Sequence, residues 1–346
     1  MDLRRVADSL RGKNILVTGG TGSFGHQIVE SLLAFDPHTI AVYSRDEKKQ
    51  YDMRLEFAGR DNIEFLLGDV RDYSRTHEVF RGVDVVFHAA AMKQVPNSEE
   101  APWEAVQTNI IGAENVRRAA VENGVETLVA ISTDKAVKPV NVMGMTKSLQ
   151  ERIILGPHAK GSRTRCICVR YGNVLGSRGS VIPLFSQQVL RGDPLTITHP
   201  GMTRFLLTLP EAVELVFWAT VEGENGDLWV RKMPAANVVD LAKTVAYGMT
   251  GDADYPHKVI GARAGEKLHE VLVSEEEMWR AQERDQHYLI PAWQKSDHQQ
   301  ERVGSDLPEY ASNTFPVLTR GELYNLLERD GWFRAAQSAT PLRVAA

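Results

Sequence analysis

A buried β-strand that runs into a glycine-rich turn and then a helix constrains the fold of this chain more than any other feature. The turn carries Gly19, Gly22 and Gly25 at three-residue spacing, directly after the apolar run at residues 15–18. Glycines there allow a tight turn and let a pyrophosphate approach the amides and the positive dipole end of the helix. Because the turn follows a strand and opens a helix, it predicts the first unit of a dinucleotide-binding sheet.

Short runs of β-branched residues alternate with helical patterns throughout the first half of the chain. Residues 103–122, for example, have apolar or small residues at helical spacing. This alternation predicts an α/β protein with a Rossmann-like, doubly wound parallel sheet and with ligands at the carboxyl ends of its strands. The runs that we interpret as strands are residues 15–18, 40–44, 63–67, 83–88, 127–132 and 165–170.

The pattern becomes irregular beyond Tyr171, where glycine- and proline-punctuated loops separate short elements. We therefore predict an NADP-binding Rossmann domain over residues 1–176, to which later segments can return. Residues 177–346 are predicted to form mainly a smaller substrate-binding lobe and a C-terminal tail. Capping boxes at Ser274 and Thr319, each with a glutamate three residues later, predict two helix starts there. The polar stretch 284–316 is expected to be rich in loops.

Composition excludes several classes of function. Formal net charge is −5 and no basic stripe is interleaved with aromatic residues, so no nucleic-acid partner is expected. No apolar stretch reaches the roughly 18 residues of a membrane span, and no signal peptide is expected at the start. Cys166 and Cys168 share one face of a predicted strand, where buried reduced thiols favour a cytoplasmic location. The histidines lack ligand spacing, so no metal site is expected.

The ends of the second, third and fourth predicted strands carry candidate cofactor contacts. Ser44 and Arg45 can embrace a 2′-phosphate, whereas an acidic residue at that point would bind the ribose hydroxyl of NAD. Asp46, one step later, keeps NAD open, but the charge pattern favours NADP. The residues expected to meet the adenine are Asp69 and Val70. The small residues that would let the cofactor lie flat, or that simply allow helix–sheet packing, are Ala89, Ala90 and Ala91.

Met143 stands where a dehydrogenase of this architecture would carry a tyrosine. A Tyr-x-x-x-Lys pair lets the lysine lower the phenol pKa, so that the phenolate can take a hydroxyl proton. Lys147 is in place, but a thioether neither holds nor releases a proton. Either the chain has lost its chemistry, or proton transfer has moved to Asp134 and Lys135, which follow a predicted core strand.

The chain resembles the extended short-chain dehydrogenase/reductase family. It is most similar to the inverting UDP-N-acetylglucosamine 4,6-dehydratases of bacterial surface-sugar pathways, some of which also epimerise C5. A branch of that family also has methionine at the Met143 position and keeps the Thr-Asp-Lys of residues 133–135. The segments that carry the resemblance are residues 18–25, 43–50, 68–72, 88–96, 132–138, 170–183, 202–205 and 261–270.

The resemblance implies oxidation at C4 of the sugar, elimination of water across C5–C6, and hydride return to C6. Lys135, if desolvated and near another cation, would be the base at C5, and Asp134, with a raised pKa, the acid at the C6 hydroxyl. Lys147 would hold the nicotinamide ribose, and Asp134 or an ordered water would replace the phenol. The candidate catalytic residues are Thr133, Asp134, Lys135, Met143 and Lys147. The further cofactor contacts implied are Ser23, Phe24 and Tyr171.

The predicted partner is a UDP-N-acetylhexosamine, whose diphosphate requires positive charge in a chain of negative net charge. Arginines suit phosphate because their guanidinium groups bind it in a bidentate manner. The resemblance also implies a homo-oligomer in which apolar helices pair. The implied substrate contacts are Lys93, Asn173, Arg178, Ser180, Val181, Thr196, Arg204, Arg263 and Glu266.

Two other functions fit parts of the same sequence. A nucleotide-sugar 4-epimerase needs only oxidation and re-reduction at C4, and it has no use for an acid–base pair at C5–C6. A non-catalytic dinucleotide-binding sensor or scaffold would explain Met143, but Lys147 and the charged loops argue against it.

Overall fold

The computed structural model describes residues 3–157, 162–177, 179–292 and 308–333. The chain divides into two compact units, each built from three separate segments. Unit 1 comprises Met1–Tyr171, Leu209–Lys232 and Val271–Tyr310. Unit 2 comprises Gly172–Thr208, Met233–Glu270 and Ala311–Ala346. The assignment of an NADP domain and a substrate lobe to residues 1–176 and 177–346 stays a prediction.

The described residues form strands and helices in regular alternation through the first 170 residues. The strands are β1 (Asn14–Thr18), β2 (Thr39–Ser44), β3 (Ile63–Leu67), β4 (Val85–His88), β5 (Thr127–Ile131), β6 (Arg165–Arg170), β7 (Asn173–Val174), β8 (Leu195–Ile197), β9 (Thr203–Leu207), β10 (Leu228–Arg231), β11 (Ala235–Asn237), β12 (His257–Val259), β13 (Val271–Val273), β14 (Gln282–Glu283), β15 (His287–Ile290) and β16 (Tyr310–Ala311).

Among the described residues, three helical segments depart from regular α geometry, namely two 3-10 helices (Leu33–Phe35 and Asp134–Ala136) and one π-helix (Gln107–Ile111). The α-helices are α1 (Leu3–Leu10), α2 (Ser23–Leu32), α3 (Glu47–Glu56), α4 (Tyr73–Val79), α5 (Val95–Glu100), α6 (Pro102–Val106), α7 (Gly112–Glu122), α8 (Val142–Leu155), α9 (Val181–Arg191), α10 (Leu209–Glu222), α11 (Val238–Thr250), α12 (Glu275–Met278) and α13 (Arg320–Arg329). No helix in the described ranges is long and apolar enough to cross a membrane.

Unit 1 is organised around a nine-stranded sheet in the order β14-β15-β10-β6-β5-β4-β1-β2-β3. In this sheet the strands β3, β2, β1, β4, β5, β6 and β10 run parallel to one another. Strand β15 pairs antiparallel with β10, and β14 pairs antiparallel with β15. Ile15, Leu16 and Val17 of β1 are at most 1% exposed, as expected when helices cover both faces of a parallel sheet. This confirms the predicted Rossmann-like α/β fold. The chain adds β2 and β3 on one side of β1 and then crosses to its other side, where β4, β5 and β6 follow.

Unit 2 contains a three-stranded sheet, β11-β9-β7, and a two-stranded pair, β12-β8. Its own apolar core packs the inner faces of α9, α11 and α13 together, with Phe185, Leu241 and Leu323 fully buried. The periodic apolar positions of these helices account for their burial on one side.

The six strands predicted from sequence all form, with ends that differ by at most two residues. Both predicted capping boxes are also present, at Ser274–Glu277 and Thr319–Glu322. The stretch 284–316, predicted to be rich in loops, contains the strand His287–Ile290, which pairs with β10 in the main sheet, and the strand Tyr310–Ala311. Tyr288 and Ile290 alternate inward in the first of these strands, a period-2 signal too short to stand out in a polar stretch. Residues 293–307 of this stretch lie outside the described residues.

Candidate active site

The glycine turn between β1 and α2 is shaped for close backbone approach. Gly19 has φ of 66°, and a Cβ at this position would lie 2.7 Å from the backbone nitrogen of Ala90. A Cβ on Gly25 would collide with the Gly19 carbonyl oxygen. A larger side chain at Gly19 would therefore push the turn away from the end of β4, and one at Gly25 would push α2 away from the turn. The residues of this turn fit the pyrophosphate of a dinucleotide, with the α2 N-terminus supplying amides and a positive dipole end.

At the end of β2, the cofactor candidates Ser44 and Arg45 lie beside polar neighbours. Ser44 Oγ is 2.9 Å from Thr21 Oγ1, and Arg45 Nη1 donates to Asp69 Oδ2 at 3.3 Å. Asp46 is the N-cap of α3, where it accepts from the Lys49 amide, and its carboxylate also pairs with Lys49 Nζ at 2.9 Å. Asp46 is thus engaged by the helix it starts, while the Arg45 side chain stays 55% exposed.

Asp69 and Val70, the adenine candidates, are held after β3 by groups from other elements. Burial alone would raise the pKa of Asp69, but hydrogen bonds from Arg71 and Arg45 hold it below its usual value. Val70 is 5% exposed, and a Cβ on Gly112 would lie 2.8 Å from its side chain. Asn115 Nδ2 donates to the Val70 carbonyl at 2.9 Å, an anchor that the sequence reasoning missed.

The remaining cofactor candidates line the same edge of unit 1. Ser23 opens α2, and the ring of Phe24 lies 5.7 Å from that of Tyr171, which is buried at the end of β6. Burial raises the pKa of Tyr171 well above its ordinary value, so its hydroxyl stays protonated. The half-buried residues that follow β4 are Ala89, Ala90 and Ala91.

Asp134 and Lys135 form a close ion pair directly after β5. Asp134 Oδ1 accepts from Lys135 Nζ and from Thr133 Oγ1, both at 2.9 Å. The Asp134 side chain is completely buried and that of Lys135 is 21% exposed. The second oxygen, Asp134 Oδ2, is buried and has no hydrogen-bond partner in the described part of the chain. A buried carboxylate oxygen without a donor is uncommon, and it marks a place where a substrate or water can bind.

The backbone around this pair is fixed by neighbouring elements. The Asp134 amide donates to the Tyr171 carbonyl at 3.1 Å, which ties the 3-10 helix Asp134–Ala136 to the end of β6. A Cβ on Gly144 would collide with the Lys135 carbonyl oxygen, so only glycine lets α8 pack this closely. From the sequence we expected another cation beside Lys135, and this stays a prediction. Lys135 Nζ forms an ion pair with Asp134 Oδ1 at 2.9 Å, and both residues lie in the same 3-10 turn.

Helix α8 brings Met143 and Lys147 under the same edge. Asn141 caps the helix by accepting from the Gly144 amide at 2.7 Å, and Met143 is 3% exposed in the first turn. Lys147 Nζ donates to the Ile131 carbonyl and to Gln150 Oε1, at 2.5 and 2.8 Å. Burial lowers the pKa of Lys147 to about 8. An ammonium has a third N–H, which a ribose hydroxyl can accept.

Two buried polar residues near this lysine were missed from sequence. Asn109, in the π-helix, donates to the Met92 carbonyl at 3.0 Å and accepts from the Met92 amide at 2.8 Å. π-helical segments occur often at functional sites, but the sequence carried no signal for one. His88 Nδ1 lies 2.8 Å from Thr18 Oγ1, and burial, aided by the charge of Lys147, lowers the pKa of His88 to about 3.

Most described substrate candidates of unit 2 are only partly exposed, whereas Arg263 is exposed. Arg204 donates to the carbonyls of Thr203 and Lys267 at 2.7 and 3.0 Å, so part of its guanidinium orders the local backbone. Glu266 Oε2 accepts from the Arg263 amide at 3.1 Å. Asn173 Oδ1 and Ser180 Oγ are buried without a hydrogen-bond partner among the described residues.

The remaining predicted substrate contacts are Thr196, Val181, Lys93 and Arg178. Thr196 pairs with the side chain of Gln188 at 2.8 Å, and Val181 is the first residue of α9. Lys93, in unit 1, is exposed. Arg178 lies outside the described residues. Within the described ranges, no group of three or more His, Cys, Asp or Glu side chains could hold a metal ion.

Comparisons with known proteins match most of this chain. A family model described as "Polysaccharide biosynthesis protein" matches residues 15–292. The protein named UDP-glucose 4-epimerase from Rickettsia canadensis (strain McKiel) is 47% identical over 287 residues, covering 81% of this chain and 83% of that protein. The X-ray structure of Pen from Bacillus thuringiensis is similar with a TM-score of 0.87 and 35% identity, covering 93% of this chain and 99% of that one.

A more distant structure shares the fold. The dTDP-glucose 4,6-dehydratase DesIV from Streptomyces venezuelae, crystallised with NAD and TYD bound, has a TM-score of 0.67 and 21% identity. The similarity covers 74% of this chain and 86% of that one.

Proposed function

Since the chain belongs to the polysaccharide biosynthesis protein family, we propose that it is an NADP-dependent inverting 4,6-dehydratase of UDP-N-acetylglucosamine. C5 epimerisation is part of the proposal, because a base that removes the C5 proton can return it to the opposite face. The observation that carries the proposal is the Asp134–Lys135 ion pair, buried at the carboxyl end of β5 where ligands of such sheets bind.

The pair supplies the two proton transfers that elimination of water requires. Lys135 Nζ, in its neutral form, would take the C5 proton, and Asp134, protonated on Oδ2, would give its proton to the departing C6 oxygen. Elimination then leaves an ammonium beside a carboxylate, which is the ion pair seen here. Because Nζ lies 2.9 Å from Asp134 Oδ1, the two groups can act on the adjacent C5 and C6. When hydride returns to C6, the Lys135 ammonium would give its proton back to C5, and Asp134 would regain a proton from the ordered water that took the C4 hydroxyl proton during oxidation.

A nicotinamide dinucleotide fits the glycine turn, and a relative of the same fold was crystallised with NAD. When bound, it would supply the oxidation at C4 and the return of that hydrogen to C6. Lys147 would bind the nicotinamide ribose, and its positive charge would favour electron withdrawal from C4 below its pKa of about 8. Since Asp46 is engaged as a helix cap and Arg45 is exposed, the end of β2 favours the 2′-phosphate of NADP.

The second candidate function is a nucleotide-sugar 4-epimerase, the name carried by relatives at 47% identity. Epimerisation at C4 needs one proton carrier at the C4 oxygen and leaves C5 and C6 untouched. It gives no role to an ammonium and a carboxylate that lie 2.9 Å apart and act on C5 and C6. A protein that binds NADP but converts neither UDP-N-acetylglucosamine nor UDP-glucose would be the non-catalytic sensor or scaffold.

The test is incubation of the purified protein and NADP with UDP-N-acetylglucosamine, and separately with UDP-glucose. Mass spectrometry of the products distinguishes the functions, because dehydration removes one water and epimerisation leaves the mass unchanged. Loss of water from UDP-N-acetylglucosamine, with a 4-keto product, is the expected result. A product of unchanged mass that has the galacto configuration would replace the dehydratase with the epimerase.

The cofactor assignment predicts a charge effect at Arg45. Arg45→Asp should weaken NADP binding far more than NAD binding, because a charge-assisted pair with the 2′-phosphate contributes about 1.5–3 kcal/mol. Titration of both cofactors by calorimetry measures this difference. Arg54→Asp, an equal charge change on the exposed end of α3, is the control. Equal weakening of both cofactors by Arg45→Asp would remove Arg45 from the phosphate site.

The mechanism gives Met143 a packing role and no proton. Met143→Leu should therefore keep most of the turnover, because it nearly conserves volume in a site that is 3% exposed and removes only the thioether. Turnover and the thermal midpoint should be measured together. A collapse of turnover with an unchanged midpoint would show that the sulfur itself takes part.

A further inference from the structure

Lys138 has an unusual backbone conformation three residues after Lys135. Its φ is 42°, and among the described non-glycine residues only Asp36 shares a positive φ. This left-handed region crowds the Cβ of most side chains against the following carbonyl oxygen. Asparagine and aspartate relieve the crowding by local hydrogen bonds, but lysine has no such group. Interactions from other parts of the chain must therefore stabilise Lys138.

Two carboxylates from distant segments supply that stabilisation. Lys138 Nζ lies 2.8 Å from Glu275 Oε2 and 2.5 Å from Glu309 Oε2. Glu275 is itself fixed as the first residue of α12, whose start is closed by a complete capping box. A single exposed pair contributes little, but one ammonium bridging two carboxylates restrains three segments at once.

Lys138 lies at the C-terminal end of the segment of residues 134–138, which carries the proposed acid and base. The entry of that segment is tied by the Asp134 amide to the Tyr171 carbonyl, at 3.1 Å. Val137 then donates to the Asp134 carbonyl at 3.2 Å, which closes the 3-10 turn directly before Lys138. Without the bridge, the backbone at Lys138 would relax toward negative φ and the turn would lose its fixed end.

We propose that Lys138 is a positioning residue: its bridge to Glu275 and Glu309 holds the 3-10 turn so that Lys135 Nζ and Asp134 reach the sugar together. This inference rests on the proposed function. Lys138 touches neither the cofactor nor the reacting atoms, and it acts only through the backbone of Asp134–Ala136. A base that is displaced by about 1 Å can lose on the order of a hundredfold in rate while binding is kept.

The test compares substitutions that separate charge from backbone strain. Lys138→Ala should lower kcat for dehydration by roughly tenfold to a hundredfold with KM for the UDP-sugar unchanged. Lys138→Arg should restore most of kcat, because it keeps a cation within reach of both carboxylates. Lys138→Gly relieves the strain but removes the bridge, so it should be as slow as Lys138→Ala. Glu275→Gln should show a smaller loss of the same kind.

Lys48→Ala is the matched control, because Lys48 forms an exposed pair with Asp52 at 2.7 Å on α3. It should leave kcat and KM unchanged. A wild-type kcat in Lys138→Ala overturns the proposal, and so does full activity in Lys138→Gly. A rise in KM without a fall in kcat also overturns it. If Lys138→Ala fails to fold, Glu275→Gln decides by the same criteria.

Amide hydrogen exchange separates this proposal from the proposed function. Peptides that cover residues 134–138 should exchange faster in Lys138→Ala than in the wild type, while peptides from β1 remain protected. If the wild-type protein does not dehydrate the sugar, the proposed function fails whatever the exchange shows. If it does dehydrate the sugar but exchange at residues 134–138 is unchanged in Lys138→Ala, only the positioning role fails.

Discussion

Lys135→Met is expected to lower the rate of dehydration by roughly 10²–10⁴-fold, the usual contribution of a general base. Methionine is unbranched and similar in length, so UDP-sugar and NADP should still bind. Oxidation at C4 precedes the step that needs Lys135, and partial reduction of the cofactor should remain visible on mixing with substrate. In deuterated water, wild-type product should carry deuterium at C5, and substrate recovered from the variant should not.

The substitution also removes one partner of a buried carboxylate, so folding must be measured beside activity. Asp134 keeps the hydrogen bond from Thr133 Oγ1, but it loses the ammonium at 2.9 Å. Asp134→Asn with Lys135 intact is the companion variant, because it removes the acid and retains the shape. It should also oxidise C4 and fail to release water. Release of water and deuterium uptake at wild-type rates by Lys135→Met would assign the base to another residue.

Local patterns in the sequence were sufficient to predict the elements that carry the site. The run of residues 15–18, the glycine turn after it and the strand that ends before Thr133 each have a local signature, and the structure contains all three elements. Parallel topology then implies that the ends of β1, β4 and β5 meet at one edge, because the carboxyl ends of parallel strands lie on the same edge of a sheet. The edge of the sheet was therefore predictable without any side-chain detail.

The interactions that depend on distant residues could not be predicted. Asn109 reaches the Met92 backbone from a π-helix, and neither residue signals the other in sequence. Asp134 and Lys135 were recognised from the sequence as an acid–base pair after a strand. Their contact at 2.9 Å lies in a 3-10 turn, for which the sequence carried no signal. Sequence patterns reveal the periodicity of regular helices and strands. These contacts depend instead on a π-helix and a 3-10 turn, which depart from that periodicity.

Another set of contacts between distant residues is formed by Arg170, the last residue of β6. Its guanidinium donates to Glu151 at 2.6 and 3.0 Å and to Glu277 at 2.9 Å through two nitrogens. It also donates to the Leu272 carbonyl at 2.7 Å, and its side chain is only 2% exposed. One buried cation thus joins β6, α8 and the start of α12 within unit 1.

Arg170→Met is expected to destabilise the fold by about 3–5 kcal/mol, because it leaves two carboxylates in a buried site without a cation. Equilibrium urea unfolding measures this loss. Arg5→Met removes an exposed pair with Glu222 and should cost about 0–1 kcal/mol. Adding Glu151→Leu and Glu277→Leu to Arg170→Met should recover much of the stability, since an apolar cluster of similar volume avoids desolvated charge.

The pH dependence of Arg170→Met should have the opposite sign to that of the wild type. Burial alone would raise the pKa of Glu277, but the charge and hydrogen bonds of Arg170 hold it below its usual value. In the wild type, Glu277 therefore contributes stability above its unfolded pKa, and this contribution is lost as pH falls through the lower folded pKa. In Arg170→Met, burial acts unopposed, so protonation of Glu277 relieves the cost and stability should rise as pH falls from neutral toward mildly acidic values. A stability difference between the two proteins that stays constant over this range would show that the carboxylates are screened by water, and that Arg170 acts through packing alone.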